Sequence, residues 1–233
     1  MKKLIIANWK LNPSTLKDAR ALAASISVKA KNKVVLCPPT IYLSSIEYPT
    51  LGAQDCFWAD KGTYTGQVSP AQLEDLVVKY CLVGHSERRE FGGDTDEIVN
   101  AKVKACLAHK IIPVLCVGFG TTVEQDDLEV TDVLKGQLDI DLAGVDPSKV
   151  VVAYEPVWAI SKGNPYQTRA ADADHAEKMA IFIKTRYKAG KVIYGASVNV
   201  NNAKGFLSQR NIDGLLPGGV SLIAKDFNQI INM

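Results

Sequence analysis

Eight short runs of strand-forming apolar residues recur along the chain, separated by stretches that carry helix-start signals, and this alternation restricts the fold more than any other feature. The runs are Leu4–Trp9, Val34–Cys37, Leu51–Gln54, Tyr80–Val83, Ile111–Val117, Val150–Tyr154, Val192–Tyr194 and Gly214–Leu216. Several, such as Val150-Val151-Val152-Ala153, are apolar at every position. A strand that reads this way is buried on both faces, the usual state of parallel strands covered by helices.

Between the runs, Ser69-Pro70-Ala71-Gln72 offers a capping box with proline at the first helical position. Thr121 with Glu124, and Asp94 with Glu97, predict the same box. Beyond Asp94, the spacing of Ile98, Ala101, Ala105 and Ala108 places them on one helical face. Eight alternations are what a closed parallel α/β barrel requires, so the reading is a (β/α)8 barrel, one domain over residues 1–233. The rival is an open doubly wound sheet, which places a glycine-rich turn after its first strand; here that position holds Asn8-Trp9-Lys10. Gly118-Phe119-Gly120 lacks the third glycine of a dinucleotide fingerprint and reads as a plain turn, and no Walker-type phosphate loop is present.

Composition narrows the function classes. At 233 residues, 47% apolar and 22% charged, the chain can bury a sizeable core. A net charge of +2, from 27 basic and 25 acidic residues, argues against nucleic acid or an anionic membrane surface as partner. No apolar stretch is long enough to span a bilayer, and the N-terminal apolar run is too short for a signal peptide. Five scattered cysteines without a Cys-x-x-Cys pair argue against a disulfide framework and a zinc site, and predict a reduced, cytoplasmic setting.

Catalysis in such a barrel sits at the carboxyl ends of the strands. The polar residues there are Asn8 and Lys10 after the first run, Gly84-His85-Ser86-Glu87-Arg88-Arg89 after the fourth, Glu155 after the sixth, Gly195-Ala196-Ser197 after the seventh, and Gly218-Gly219 with Ser221 after the eighth. Asn8 and Lys10, two apart, point to one side and Trp9 to the other. Singly, each has an ordinary reading: a solvated lysine, a surface glutamate, a structural histidine, a left-handed turn at the glycine pair. Their convergence on one rim, a base with a cation, an imidazole and a phosphate-sized nest, carries the functional reading.

Asn8-Trp9-Lys10, Gly84-His85-Ser86-Glu87-Arg88-Arg89, Ala153-Tyr154-Glu155-Pro156-Val157-Trp158-Ala159-Ile160, Tyr194-Gly195-Ala196-Ser197-Val198-Asn199 and Asp213-Gly214-Leu215-Leu216-Pro217-Gly218-Gly219 closely resemble the signature segments of the triosephosphate isomerase family, in the right order from residue 5 to about residue 222. The resemblance implies a TIM barrel that interconverts dihydroxyacetone phosphate and D-glyceraldehyde 3-phosphate through an enediolate, a step of glycolysis and gluconeogenesis, with no metal and no organic cofactor. It implies Glu155 as the base and His85 as a neutral electrophile, its charge disfavoured by the helix that Ser86 and Glu87 open. Lys10 would be a fixed positive charge beside the oxyanion, and Asn8 a further donor. Glu87 would order the site by pairing with Lys10; an ion pair with Arg88 or Arg89 is an equal alternative. Backbone N–H groups of Ser161, Ser197, Gly218 and Gly219 would hold the phosphate.

Residues 156–167 resemble the family's lid, with Pro156, Val157, Trp158, Ala159, Ile160 and Gly163 in it and Tyr194 as its latch. The stretch Cys56–Val68, of little periodicity, resembles a loop that inserts into a second subunit, with Thr65 reaching the partner's site, and so implies a homodimer. Departures from the family pattern are Ser161-Lys162 for a glycine-led pair, Asn164-Pro165-Tyr166 at the second hinge, Ala196, Pro217, Gln67 and Phe119. Two other readings stand beside this one: a pentose phosphate epimerase, disfavoured because His85, His109 and His175 lack ligand spacing, and a barrel that binds without catalysing.

Overall fold

The computed structural model describes residues 2–161, 166 and 171–233. Eight strands form one parallel sheet: β1 Leu4–Asn8, β2 Lys33–Cys37, β3 Gly52–Ala53, β4 Tyr80–Val83, β5 Ile112–Val117, β6 Val151–Tyr154, β7 Lys191–Tyr194 and β8 Gly214–Leu215. The order is β2-β1-β8-β7-β6-β5-β4-β3, and a parallel bridge from Leu36 to Leu51 joins the two ends, so the sheet closes. Every expected run overlaps its strand, with ends that differ by a residue or two: β2 and β7 each begin one residue earlier than expected, at Lys33 and Lys191, and most of the others are trimmed.

Side chains alternate between two apolar layers, as a period of two demands. Leu4 and Ile6 of β1, with Leu82 of β4 and Val114 and Cys116 of β5, fill the barrel. Ile5 and Ala7, with Cys81, Val83, Leu115 and Val117, face the surrounding helices. Both faces are therefore dry, which explains why these strands read as continuous apolar runs.

The helices are α1 Leu16–Ser25, α2 Pro70–Asp75, α3 Ser86–Gly92, α4 Asp96–Ala108, α5 Asp127–Asp141, α6 Ala173–Tyr187, α7 Ala203–Ser208 and α8 Ala224–Ile230. A six-residue 3-10 helix, Thr40–Ser45, replaces an α-helix between β2 and β3. The box at Ser69 is present, with Ser69 Oγ accepting from Gln72 N and Gln72 Oε1 from Ser69 N. The other two expected boxes lie elsewhere. Asp94 is not the cap of α4 because its carboxylate is buried against the Lys102 ammonium at 2.7 Å, so Thr95 caps instead. Thr121 spends its hydroxyl on Gly118 O, and the box of α5 is Asp126 with Glu129. The buried face of α4 is also rotated by one residue from the expected one: Val99, Val103 and Cys106 are buried, whereas Ala108 is exposed. One position on a helix turns a side chain by about 100°, enough to swap faces.

A buried charge cluster ties α3, α4 and the segment after β3 together. Lys102 Nζ meets Asp55 Oδ1 and Asp94 Oδ2, each at 2.7 Å, and Arg88 Nε lies 2.9 Å from Asp55 Oδ2. Arg89, whose side chain is almost wholly buried, bridges Asp141 at 2.8 Å and Asp96. Neither arginine turns to Glu87, which leaves that carboxylate for the rim.

Candidate active site

Lys10 leaves β1 in a left-handed conformation, φ 52°, which a residue with a Cβ adopts only when its surroundings hold it there. Two side chains do so. Asn8 Oδ1 accepts from Lys10 N at 3.0 Å, and Gln54 Nε2 donates to Lys10 O at 2.8 Å and to Cys37 O at 2.9 Å. The role of Asn8 is thus partly to set the Lys10 backbone, with its oxygen engaged and its NH2 left for the cavity that it lines. The Lys10 ammonium then meets Glu87 Oε1 at 2.6 Å, the first of the two pairings open to that glutamate.

His85 is the N-cap of α3. Its Nδ1 accepts from Glu87 N at 3.1 Å. A main-chain N–H can only donate, so the ring proton stands on Nε2, the tautomer that can donate into the site. Nε2 lies 3.4 Å from Glu155 Oε1.

Glu155 is 1% exposed. Its Oε2 accepts from Ser86 N at 3.4 Å, while Oε1 has no hydrogen-bond partner among the described residues. Burial pushes the carboxyl above its ordinary range, opposed by His85, the Lys10 charge, the Ser86 N–H and the Cys116 thiol. The carboxylate rests against the start of α3 rather than lining the cavity. Two glycines make room for it. A Cβ on Gly118 would lie 2.6 Å from Glu155 O, and one on Gly195 would lie 2.9 Å from Glu155 Cγ. Gly118 therefore does more than form a plain turn; its N–H is bound by Gln137 Oε1 of α5 at 2.8 Å.

The cavity beside these groups has a volume of about 170 Å³ and is lined by Asn8, Lys10, Asn12, His85, Glu87, Ile160, Ser161, Gly218 and Gly219, among others. Gly218 sits where a side chain would meet Lys10 Cε at 3.3 Å, and Ser221 closes the turn through N and Oγ onto Gly218 O. Neither glycine N–H donates to another described residue, so two main-chain donors remain at this wall. Asn12 and Leu222 line the cavity too; neither carried a sequence signal.

Ser197 behaves differently from expectation. It is buried, does not line the cavity, and donates its N–H to Ala159 O at 3.0 Å. Ala159 ends a 3-10 turn, Val157–Ala159, that follows Pro156. Pro156 is buried, Ile160 and Ser161 reach the cavity, and the Trp158 indole N–H is buried without a partner among the described residues. Tyr194 stacks on Phe206 at 4.0 Å and its hydroxyl accepts from Ala171 N at 3.3 Å. Gly163 lies outside the described residues. Thr65 is exposed, away from this rim's own lining.

A carboxylate made more basic by burial, an imidazole with Nε2 left to donate and an ammonium held by Glu87 are the groups that moving a proton next to a carbonyl demands. Fold and rim together define the class: a (β/α)8 enzyme of the proton-transferring kind. The family model for triosephosphate isomerase matches residues 3–233. The chain is 37% identical over 250 residues to the triosephosphate isomerase of Caldanaerobacter subterraneus subsp. tengcongensis, covering 100% of both chains. It is 39% identical over 251 residues to that of Alkaliphilus metalliredigens, again over 100% of both. Against that of Gloeobacter violaceus it is 37% identical over 242 residues, 99% of this chain and 98% of the other. The chain belongs to the triosephosphate isomerase family. Among the described residues no helix is long and apolar enough to cross a membrane.

Proposed function

We propose that this chain interconverts dihydroxyacetone phosphate and D-glyceraldehyde 3-phosphate, with Glu155 carrying the proton between the two carbons. The observation that carries the reading is the grouping of Glu155, His85 and Lys10: Oε1 of the buried carboxylate is 3.4 Å from Nε2 of the imidazole, and the imidazole and the Lys10 side chain line one cavity. Glu155 leaves the Ser86 amide and takes a proton from the carbon beside the carbonyl. His85 Nε2–H and Lys10 stabilise the negative charge that grows on the oxygens. Donors fixed before the reaction starts are worth more than mobile ones, roughly a hundred- to a thousand-fold in rate each. The N–H groups of Gly218 and Gly219, with that of Ser161, hold the phosphate, and that of Ser197 joins them once Ala159 O releases it. Closure of Pro156–Ile160 over the site, latched at Tyr194, keeps water from the enediolate.

The active form in this reading is a homodimer of single-domain chains, residues 1–233, in the cytoplasm. The exposed tip around Thr65 supports the first point, and five buried free cysteines fit a reducing compartment. Purified protein is expected to interconvert both trioses in a coupled assay that contains a chelator. Background-level turnover would remove the proposal, and sedimentation of an active monomer would remove its quaternary part.

A further inference from the structure

Three cysteines that the proposed reaction does not use converge behind the barrel wall. Cys56 follows β3, Cys81 lies on the outward face of β4 and Cys106 on the buried face of α4. Their sulfurs all lie within 4.8 Å of one another, with Cys56 Sγ and Cys106 Sγ 3.4 Å apart. All three thiols are free, and their residues are 2%, 0% and 0% exposed. We propose that Cys56, Cys81 and Cys106 form a binding site for a trivalent thiophilic ion, for which arsenite is the simplest source.

Geometry gives the ligand count. An ion about 2.3 Å from each of three sulfurs in a trigonal plane holds those sulfurs about 4 Å apart, and a pyramidal ion brings them closer still. The observed spread needs little movement to meet either. Soft sulfur donors select soft ions over oxygen-seeking ones. Zinc in a closed site takes four ligands, and among the described residues the group holds three.

Charge decides between the remaining soft ions. The Lys102 ammonium, one turn before Cys106, is already matched by Asp55 and Asp94, and the rest of the surroundings are apolar core. A surplus charge there carries a heavy desolvation cost. Three thiolates around a monovalent ion leave a charge of minus two, and around a divalent ion minus one. Around trivalent arsenic they leave none. The reaction is As(OH)3 with three thiols to As(SR)3 and three waters. Three As–O bonds and three S–H bonds break, three As–S bonds form, each hydroxide departs with a thiol proton, and no oxidation state changes. Neutral reactants give a neutral product, so the buried site takes the ion without a counter-charge.

The test is titration of the full chain with sodium arsenite under a phosphine reductant. The expected result is one arsenic per chain by mass spectrometry, with three of the five thiols masked from a thiol reagent added in denaturant at low pH. Binding is slow and its rate levels off at high arsenite, since the 56–68 loop must open first. Cys106→Ala and Cys81→Val each weaken binding by more than the roughly 10–100-fold that loss of an outer-shell partner costs. Cys37→Ala, in the barrel interior, leaves it unchanged. Intact turnover in the coupled assay shows that each variant is folded. Absence of binding at millimolar arsenite, binding that survives Cys106→Ala in a folded variant, or uptake of zinc in preference to arsenite would each overturn the proposal.

Discussion

Nδ1 of His85 accepts the amide proton of Glu87 at 3.1 Å, and this one bond fixes which ring nitrogen can donate to a substrate. Nitrogen-15 NMR of His85 in the free protein is expected to report the Nε2–H tautomer. His85→Leu removes the donor and is expected to lower kcat by roughly a hundred- to a thousand-fold, with KM moved far less. A variant with more than a tenth of normal kcat contradicts the role given to His85.

Glu155→Asp withdraws the carboxylate by about one methylene from the position it must reach, and misplacement of about 1 Å can cost about a hundred-fold. Single-turnover kinetics with bound substrate retained and chemistry slowed is the expected outcome. Turnover close to that of the parent protein rejects Glu155 as the base.

Burial raises the Glu155 carboxyl in the folded chain, so folding favours its protonated form. Stability from this group is complete below the unfolded-state value, about 4.3, and drains away as pH rises through the folded-state value. Glu155→Gln, which cannot ionise, is therefore expected to raise the urea midpoint at pH 8, with the gain vanishing near pH 4. The same variant loses turnover by about a hundred- to ten-thousand-fold. In the parent protein kcat/KM falls as pH drops through the raised value, because the protonated carboxyl cannot accept. A Glu155→Gln midpoint below that of the parent at pH 8 goes against this account.

Much of this was legible before any coordinates, and the reason is physical. Strands dry on both faces write themselves as unbroken apolar runs, so all eight were visible; the rim residues stand at the ends of those runs, where Asn8, Lys10, His85 and Glu155 lie. The two misplaced caps have different causes. Asp94 has the spacing of a cap but is claimed by the buried Lys102 ammonium, which no capping rule contains, whereas Thr121 turns its hydroxyl back to the nearby Gly118 O, a local bond that competes with capping. Gly118 read as a turn because its close approach to the Glu155 main chain comes from a different strand.

Lys10 and Glu87 can be separated by substitution. Lys10→Met removes the fixed charge and is expected to lower kcat/KM by roughly a hundred- to a thousand-fold. Glu87→Gln keeps an acceptor at 2.6 Å from the ammonium and loses much less. Equal losses in steady-state assays point instead to Glu87 touching substrate.

At the seam between β8 and β1, Gly214 faces Leu4, and a Cβ there would lie 1.8 Å from Leu4 O. That neighbour is main chain and cannot rotate away. Gly214→Ala is expected to destabilise the barrel by about 1–3 kcal/mol or more, read from urea unfolding. A shift under 0.5 kcal/mol would show that the seam yields.

The amide of Ser197 is held by Ala159 O at 3.0 Å, and that pairing has a consequence for recognition. In the proposed reaction, a phosphoryl group that takes this donor first displaces the main-chain carbonyl of Ala159. Affinity at this point would then measure an exchange of partners, not the making of a new one, and substitutions that loosen the turn at Ala159 would be felt as tighter anion capture.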